Sequence, residues 1–214
     1  MKRFALFGCA GLLLAALIGL VPVLSQDMGG GSDGMGGDEA CGGTAEAHPT
    51  GSQDPNGILK MLNGEWTCDF TAWMEPGTDP IKMKFDLKGE WTLDEQFITT
   101  NYEMKEGPFP HKGIEYFSYN EATQEYEAIR ITSASGSIIV FHGKYDEKTK
   151  TLEMKAEYKM AWAGAILDVK GRNVYKFESA EKHTFTGYSE YVGLEGVEGE
   201  MKEVEITFDR KKTK

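Results

Sequence analysis

Side chains of alternating polarity dominate this chain from Trp66 onward, and that period of two constrains its fold most. Ile81, Met83, Phe85 and Leu87 alternate with Lys82, Lys84, Asp86 and Lys88. Leu152, Met154, Ala156 and Tyr158 alternate with Thr151, Glu153, Lys155 and Glu157, and Val204, Ile206 and Phe208 with Glu203, Glu205, Thr207 and Asp209. Successive side chains of a strand point to opposite faces, so each run is a strand with one buried and one wet face. Antiparallel sheets have that character; parallel strands, covered on both faces, read as continuous apolar runs. Turn signals such as Gly107-Pro108, Asn120-Glu121 and Ser135-Gly136 divide the chain into about ten strands. Their expected starts lie near Trp66, Ile81, Gln96, Gly113, Glu125, Ile138, Thr151, Ala165, His183 and Lys202. Short connections imply a meander, and a meander this long removes its exposed edges by closing. The expected fold is all-β, an antiparallel up-and-down barrel; an open two-sheet sandwich is the alternative. One short helix should precede it, with Asp54 as cap, Pro55 at its first position and Gly64 past its end.

The first 57 residues read differently. Residues 1–25 have the form of a secretory signal peptide: Lys2 and Arg3 at the start, an uncharged apolar run over 4–20, then Pro22 and a cleavage point before Gln26. Retention as a membrane anchor is the alternative, since a span needs roughly 20 apolar residues. Residues 26–57 hold ten Gly, six acidic residues and no Lys, Arg or aromatic. Such a segment buries too little apolar surface to offset the entropy of ordering it, so a disordered linker is expected. Residues 58–214 form the barrel domain. The expected location is secreted or periplasmic, with no membrane contact once the signal is cleaved. In that oxidising setting Cys41 and Cys68 could pair and tie the linker to the barrel; a buried, inert Cys68 is the other reading.

The net charge of the 214-residue chain is −11. Cleavage removes Lys2 and Arg3 from its 23 basic side chains, leaving 21 against 34 acidic ones, or −13. That field disfavours nucleic acid and anionic membrane as partners.

Leu62-Asn63-Gly64-Glu65-Trp66, after a short helix and opening the first strand, resembles the Gly-x-Trp start of lipocalins and other calycins. The resemblance implies structural roles for Gly64, Trp66 and Arg210, with the last-strand arginine packed across the tryptophan at the closed end. Such a cation–π contact is worth about 1–2 kcal/mol. A closer resemblance runs through Tyr119-Asn120, Phe141-His142-Gly143-Lys144-Tyr145-Asp146 and Lys202-x-x-Glu205-Ile206-Thr207-Phe208-x-Arg210-Lys211. These segments are similar to a bacterial secreted family known as domain of unknown function 1579. Ser118-Tyr119-Asn120 stands where that family usually has Gly-Tyr-Asp. The family resemblance implies a calycin-like barrel and no settled activity.

Chemistry is sparse in the sequence. Of His48, His111, His142 and His183, only His142 lies well inside an expected strand, which makes it the candidate haem or metal ligand. The expected hairpin register sets Ile129 and Ile131 beside Phe141, Gly143 and Tyr145 on the buried face, and Arg130, His142 and Lys144 on the wet one. His142 then points outward, and no cofactor or metal is expected. Cys-x-x-Cys, His-x-x-x-His and Gly-x-Ser-x-Gly are absent. The acidic residues read mostly as outward solubilising groups. Three functions follow. The first is a non-enzymatic barrel holding a small hydrophobic or amphipathic ligand against Met83, Phe85, Leu87, Tyr102, Phe141, Tyr145, Met154 and Tyr158. The second is a scaffold or protein-interaction domain with a filled core. The third is a hydrolase or lyase with its site at the barrel mouth.

Overall fold

The computed structural model describes residues 54–212 apart from 75–77, 108–109, 163–164 and 195–196. The expected signal segment, nearly all of the expected linker, Cys41 and His48 lie outside those residues. A short helix, α1 (Ile58–Leu62), leads into β1 (Gly64–Ala72), β2 (Ile81–Thr92), β3 (Phe97–Met104), β4 (His111–Asn120) and β5 (Glu125–Thr132). There follow β6 (Ile138–Asp146), β7 (Thr151–Trp162), β8 (Ala165–Ser179), β9 (Lys182–Val192) and β10 (Met201–Arg210). The strands form one closed antiparallel barrel in the order β1-β10-β9-β8-β7-β6-β5-β4-β3-β2. Each strand begins within two residues of the start expected from the turn signals.

The helix begins at Ile58 rather than Pro55. Asp54 spends its side chain on a local turn, accepting N–H bonds from Asn56 at 3.3 Å and Leu59 at 2.7 Å. Gly57, at φ 66°, breaks helical continuity between that turn and α1. Tyr126 donates its hydroxyl to the same Asp54 carboxylate at 2.5 Å, fastening the start of the domain to β5. Ile58, Leu59 and Leu62 are buried, so α1 stoppers one end of the barrel.

Trp66 and Arg210 lock that end. They face each other in the β1–β10 ladder, with the guanidinium 4.2 Å from the centre of the fully buried indole ring. Arg210 donates to the carbonyls of Asn63 at 2.7 Å, Met61 at 3.4 Å and Ala180 at 2.8 Å, and Trp66 donates to that of Leu62 at 3.2 Å. One side chain thus ties the helix, the barrel seam and the β8–β9 turn together. Gly64 lies beneath it at φ 121°, where a Cβ would fall 2.1 Å from Arg210 Nη1.

Two strand faces differ from the sequence reading. In β5, Arg130 points inward beside Ala128 and Tyr126, while Ile129 and Ile131 are exposed. The β5–β6 ladder pairs Ala128 with Phe141 and Arg130 with Ile139, one residue out of the expected register. Ile114, Ile129, Ile131, Ile138 and Val140 thereby form an apolar stripe on the outer wall. In β10, a bulge between Lys202 and Val204 inserts Glu203 into the interior, leaving it 8% exposed. The extra residue reverses the local alternation, which no period-two reading can anticipate.

Replacing Gly64 by alanine should displace the Arg210 guanidinium and strain the backbone, lowering the unfolding free energy by about 3 kcal/mol in urea titrations. Gly136→Ala, where a Cβ meets open space, should change it by less than about 0.5 kcal/mol.

Candidate functional site

The candidate site is the lumen above this floor. Inward positions of β1 through β10 enclose a cavity of about 200 Å³. That is room for a ligand of roughly a dozen non-hydrogen atoms. Phe85, Leu87, Tyr102, Phe141 and Tyr158 line it. Three others of the expected lining set do not. Met154 is fully buried in the core, Met83 packs at its margin, and Tyr145 sits against Phe177 at 6.3 Å. Met154 and Tyr145 lie nearer the floor end of their strands, where the side chains close together.

The lumen is more polar than the strand patterns imply, with a charged pair at its depth. Arg130 Nε donates to Glu115 Oε1, and the guanidinium lies 5.1 Å from the Phe141 ring centre and 5.6 Å from that of Phe185. Burial works against the Arg130 charge, but Glu115, helped by Tyr175 and Tyr102, more than offsets it and the side chain stays protonated. Burial pushes Tyr102 up to about 12 and Tyr175 well above the ordinary tyrosine range. The Tyr102 ring occupies the space over Gly113, where a Cβ would come within 2.2 Å of it. A smaller void of about 20 Å³ lies below, sharing Leu87, Glu115, Tyr175 and Phe208 with the lumen.

The second polar group is on the bulge. Glu203 accepts hydroxyl bonds from Ser189 at 2.7 Å and from Tyr191. Its backbone carbonyl accepts the Trp73 N–H at 2.9 Å, so the bulge is anchored to the segment after β1. Burial pushes the carboxyl up to about 7, with the bonds from Tyr191 and Ser189 pulling the other way. Tyr191 also belongs to a satellite cluster with Met160, Leu167 and Val169, against which Leu194 and Val197 pack. The β9–β10 connection therefore has an apolar footing over its described residues.

The wall is open on one side. The β2–β3 ladder ends at Leu87–Tyr102, and the two strands part beyond it. An outer cleft of about 770 Å³ lies there, and Phe85, Leu87 and Tyr102 line both cleft and lumen. Those three side chains form the partition between them.

His142 points outward as its strand parity implies, whereas His111 and His183, at strand starts, are buried. His142 is exposed, 3.8 Å from Glu127 on the outer wall. His111 lines the cavity, edge-on to Tyr102 at 5.7 Å. His183 is in the floor, stacked on Phe208 at 4.3 Å, and burial, with the nearby Arg210 charge, pushes it down to about 3. Cys68 is buried in the core and burial raises its thiol, while its expected partner Cys41 lies outside the described residues. Among the described residues no cluster of three His, Cys, Asp or Glu is placed to hold a metal. Arg130, Glu115, Glu203, Ser189 and His111 are among the polar lumen residues that sequence reasoning missed. For Arg130 a signal existed: Tyr126 and Ala128 share its parity, and continuing their alternation turns it inward.

A family model described as "Protein of unknown function (DUF1579)" matches residues 52–210. Among solved structures the chain is similar to the crystal structure of Rv2717c from M. tuberculosis. The TM-score is 0.50 at 14% identity, over 72% of this chain and 96% of that one. At that identity the likeness concerns the fold alone. No curated protein matches the chain.

Two measurements probe these groups. Arg130→Leu should cost about 3–5 kcal/mol by leaving Glu115 buried and unpaired, and adding Glu115→Leu should recover most of it in a double-mutant cycle. Glu203 titrates higher in the fold than its ordinary value of 4.5, so the folded state binds more protons between pH 4.5 and about 7. Its contribution is complete below 4.5 and is lost as pH rises through 7. Glu203→Gln should gain about 2–3 kcal/mol relative to the parent between pH 5 and pH 8, read from urea unfolding at each pH.

Proposed function

The chain belongs to the DUF1579 family, and from that premise we propose that this member holds a small amphipathic molecule in the lumen of its barrel. The observation that carries the reading is the cavity of about 200 Å³, in which apolar and aromatic walls meet a few convergent polar groups. A filled scaffold would have its lumen closed by side chains. We take the protein to work outside the cytoplasm, on the strength of the signal-like residues 1–25. The parting of β2 from β3, behind the partition of Phe85, Leu87 and Tyr102, supports access through the wall as well as through the mouth. No covalent chemistry is required of the site.

Glu203 and Ser189 on the cavity wall, with Tyr191 bonded to Glu203 from behind, favour a second reading, a hydrolase or lyase at the mouth. Turnover of simple esters that disappears in Glu203→Gln would establish it in place of the first.

Octanol tests the lumen reading because its nine non-hydrogen atoms suit the cavity and it carries no charge. Titration followed by amide NMR should shift inward residues of β5, β8 and β10 selectively. Thr132→Phe, which projects a ring into the cavity, should weaken binding by about tenfold or more, with stability changed by less than about 1.5 kcal/mol. Shifts confined to the outer wall, or binding indifferent to Thr132→Phe, would remove the lumen from consideration. Native mass spectrometry of the protein from its own host should show the added mass of a carried-over ligand.

A further inference from the structure

The charged side chains that line the cavity do not balance. Glu115 and Arg130 satisfy each other. Glu203, 8% exposed on its bulge and lining the same cavity, has only neutral partners, the hydroxyls of Ser189 and Tyr191. Tyr158 of β7 faces it as well, its phenol pushed up to about 12 by burial and then by the Glu203 charge. Trp73, after β1, offers a backbone N–H, already given to the Glu203 carbonyl. The adjacent Lys202 turns away, to Glu205 and to the Trp73 ring at 4.4 Å. Among the described residues no Lys or Arg pairs with Glu203. A buried carboxyl without a counter-charge is costly when ionised, and a ligand in the cavity that Glu203 lines can supply one.

We propose that the ligand is a small amphipathic amine, its ammonium group seated against Glu203 and its apolar body against the aromatic wall. This rests on the lumen reading above and names the chemical class that reading leaves open. An anionic ligand would enter a lumen with two carboxyl groups to one guanidinium, in a chain of net charge −11. A neutral one would leave Glu203 without a counter-ion. An ammonium makes charge-assisted bonds to the carboxylate oxygens, and the phenol ring of Tyr158 on the cavity wall accommodates a cation. Below about pH 7 the arriving cation displaces the proton of Glu203, which passes to solvent.

The test is a matched series, octylamine, octanol and octanoate, titrated calorimetrically into the full chain at pH 8 and pH 6. Octylamine should bind about tenfold or more tighter than octanol at pH 8. The preference should shrink at pH 6, where binding heats should depend on the buffer because a proton is released. In Glu203→Gln, checked for cooperative unfolding, octylamine and octanol should bind alike. If the unaltered protein binds octanol and octylamine equally, or if Glu203→Gln keeps the preference, the amine assignment falls while the lumen reading stands. Tightest binding of octanoate would shift charge recognition to Arg130 and likewise overturn it. Binding of none of the three would overturn both.

Discussion

The contact between Arg210 and Trp66 is the constraint on which the rest of the barrel depends. A ten-strand sheet closes only if its first and last strands meet, and these two residues face each other across that seam. The guanidinium covers the indole and caps carbonyls from the helix, the chain leading into β1 and the β8–β9 turn. The Met61 and Asn63 carbonyls are half-buried, and there an unsatisfied acceptor costs up to about 1–3 kcal/mol. Gly64 belongs to the same device, because only a residue without a Cβ leaves room for the arginine beneath the ring.

A floor held this tightly lets the opposite end carry less regular and more polar structure. Above Trp66 the side chains thin out into a cavity, β2 and β3 part, and β10 takes a bulge. The bulge is what brings Glu203 inside. Each irregularity would weaken an open sheet, whose edges depend on continuous pairing. A closed barrel with one sealed end tolerates them, and its lumen acquires charged groups that a filled core would exclude.

Much of the architecture was legible in the chain because strand alternation and turn chemistry are local properties. Strand starts, antiparallel closure, and the inward faces of β2 and β7 all follow from short stretches read alone. The candidate site was less legible. Ile129-Arg130-Ile131 reads as an apolar pair flanking an outward charge, and ordinary burial energetics favour that choice. The fold reverses it because β6 sets Ile139, not Val140, opposite Arg130, and because Glu115 on β4 supplies the counter-charge that makes a buried guanidinium tolerable. Neither partner is near Arg130 in sequence. His111 and His183 escaped notice for a related reason: each stands at the start of a strand, where burial depends on how far neighbouring strands extend.

The sequence by itself determined an antiparallel barrel, since period-two patterning and turn residues act over a few positions, and the tryptophan and arginine at its seam were what the calycin resemblance implied. Tertiary structure alone decided which charges enter the lumen, how much of it stays open, and where the wall parts. Those depend on cross-strand register, on one inserted residue, and on the summed volume of side chains arriving from ten strands, and no short window of the chain contains that sum.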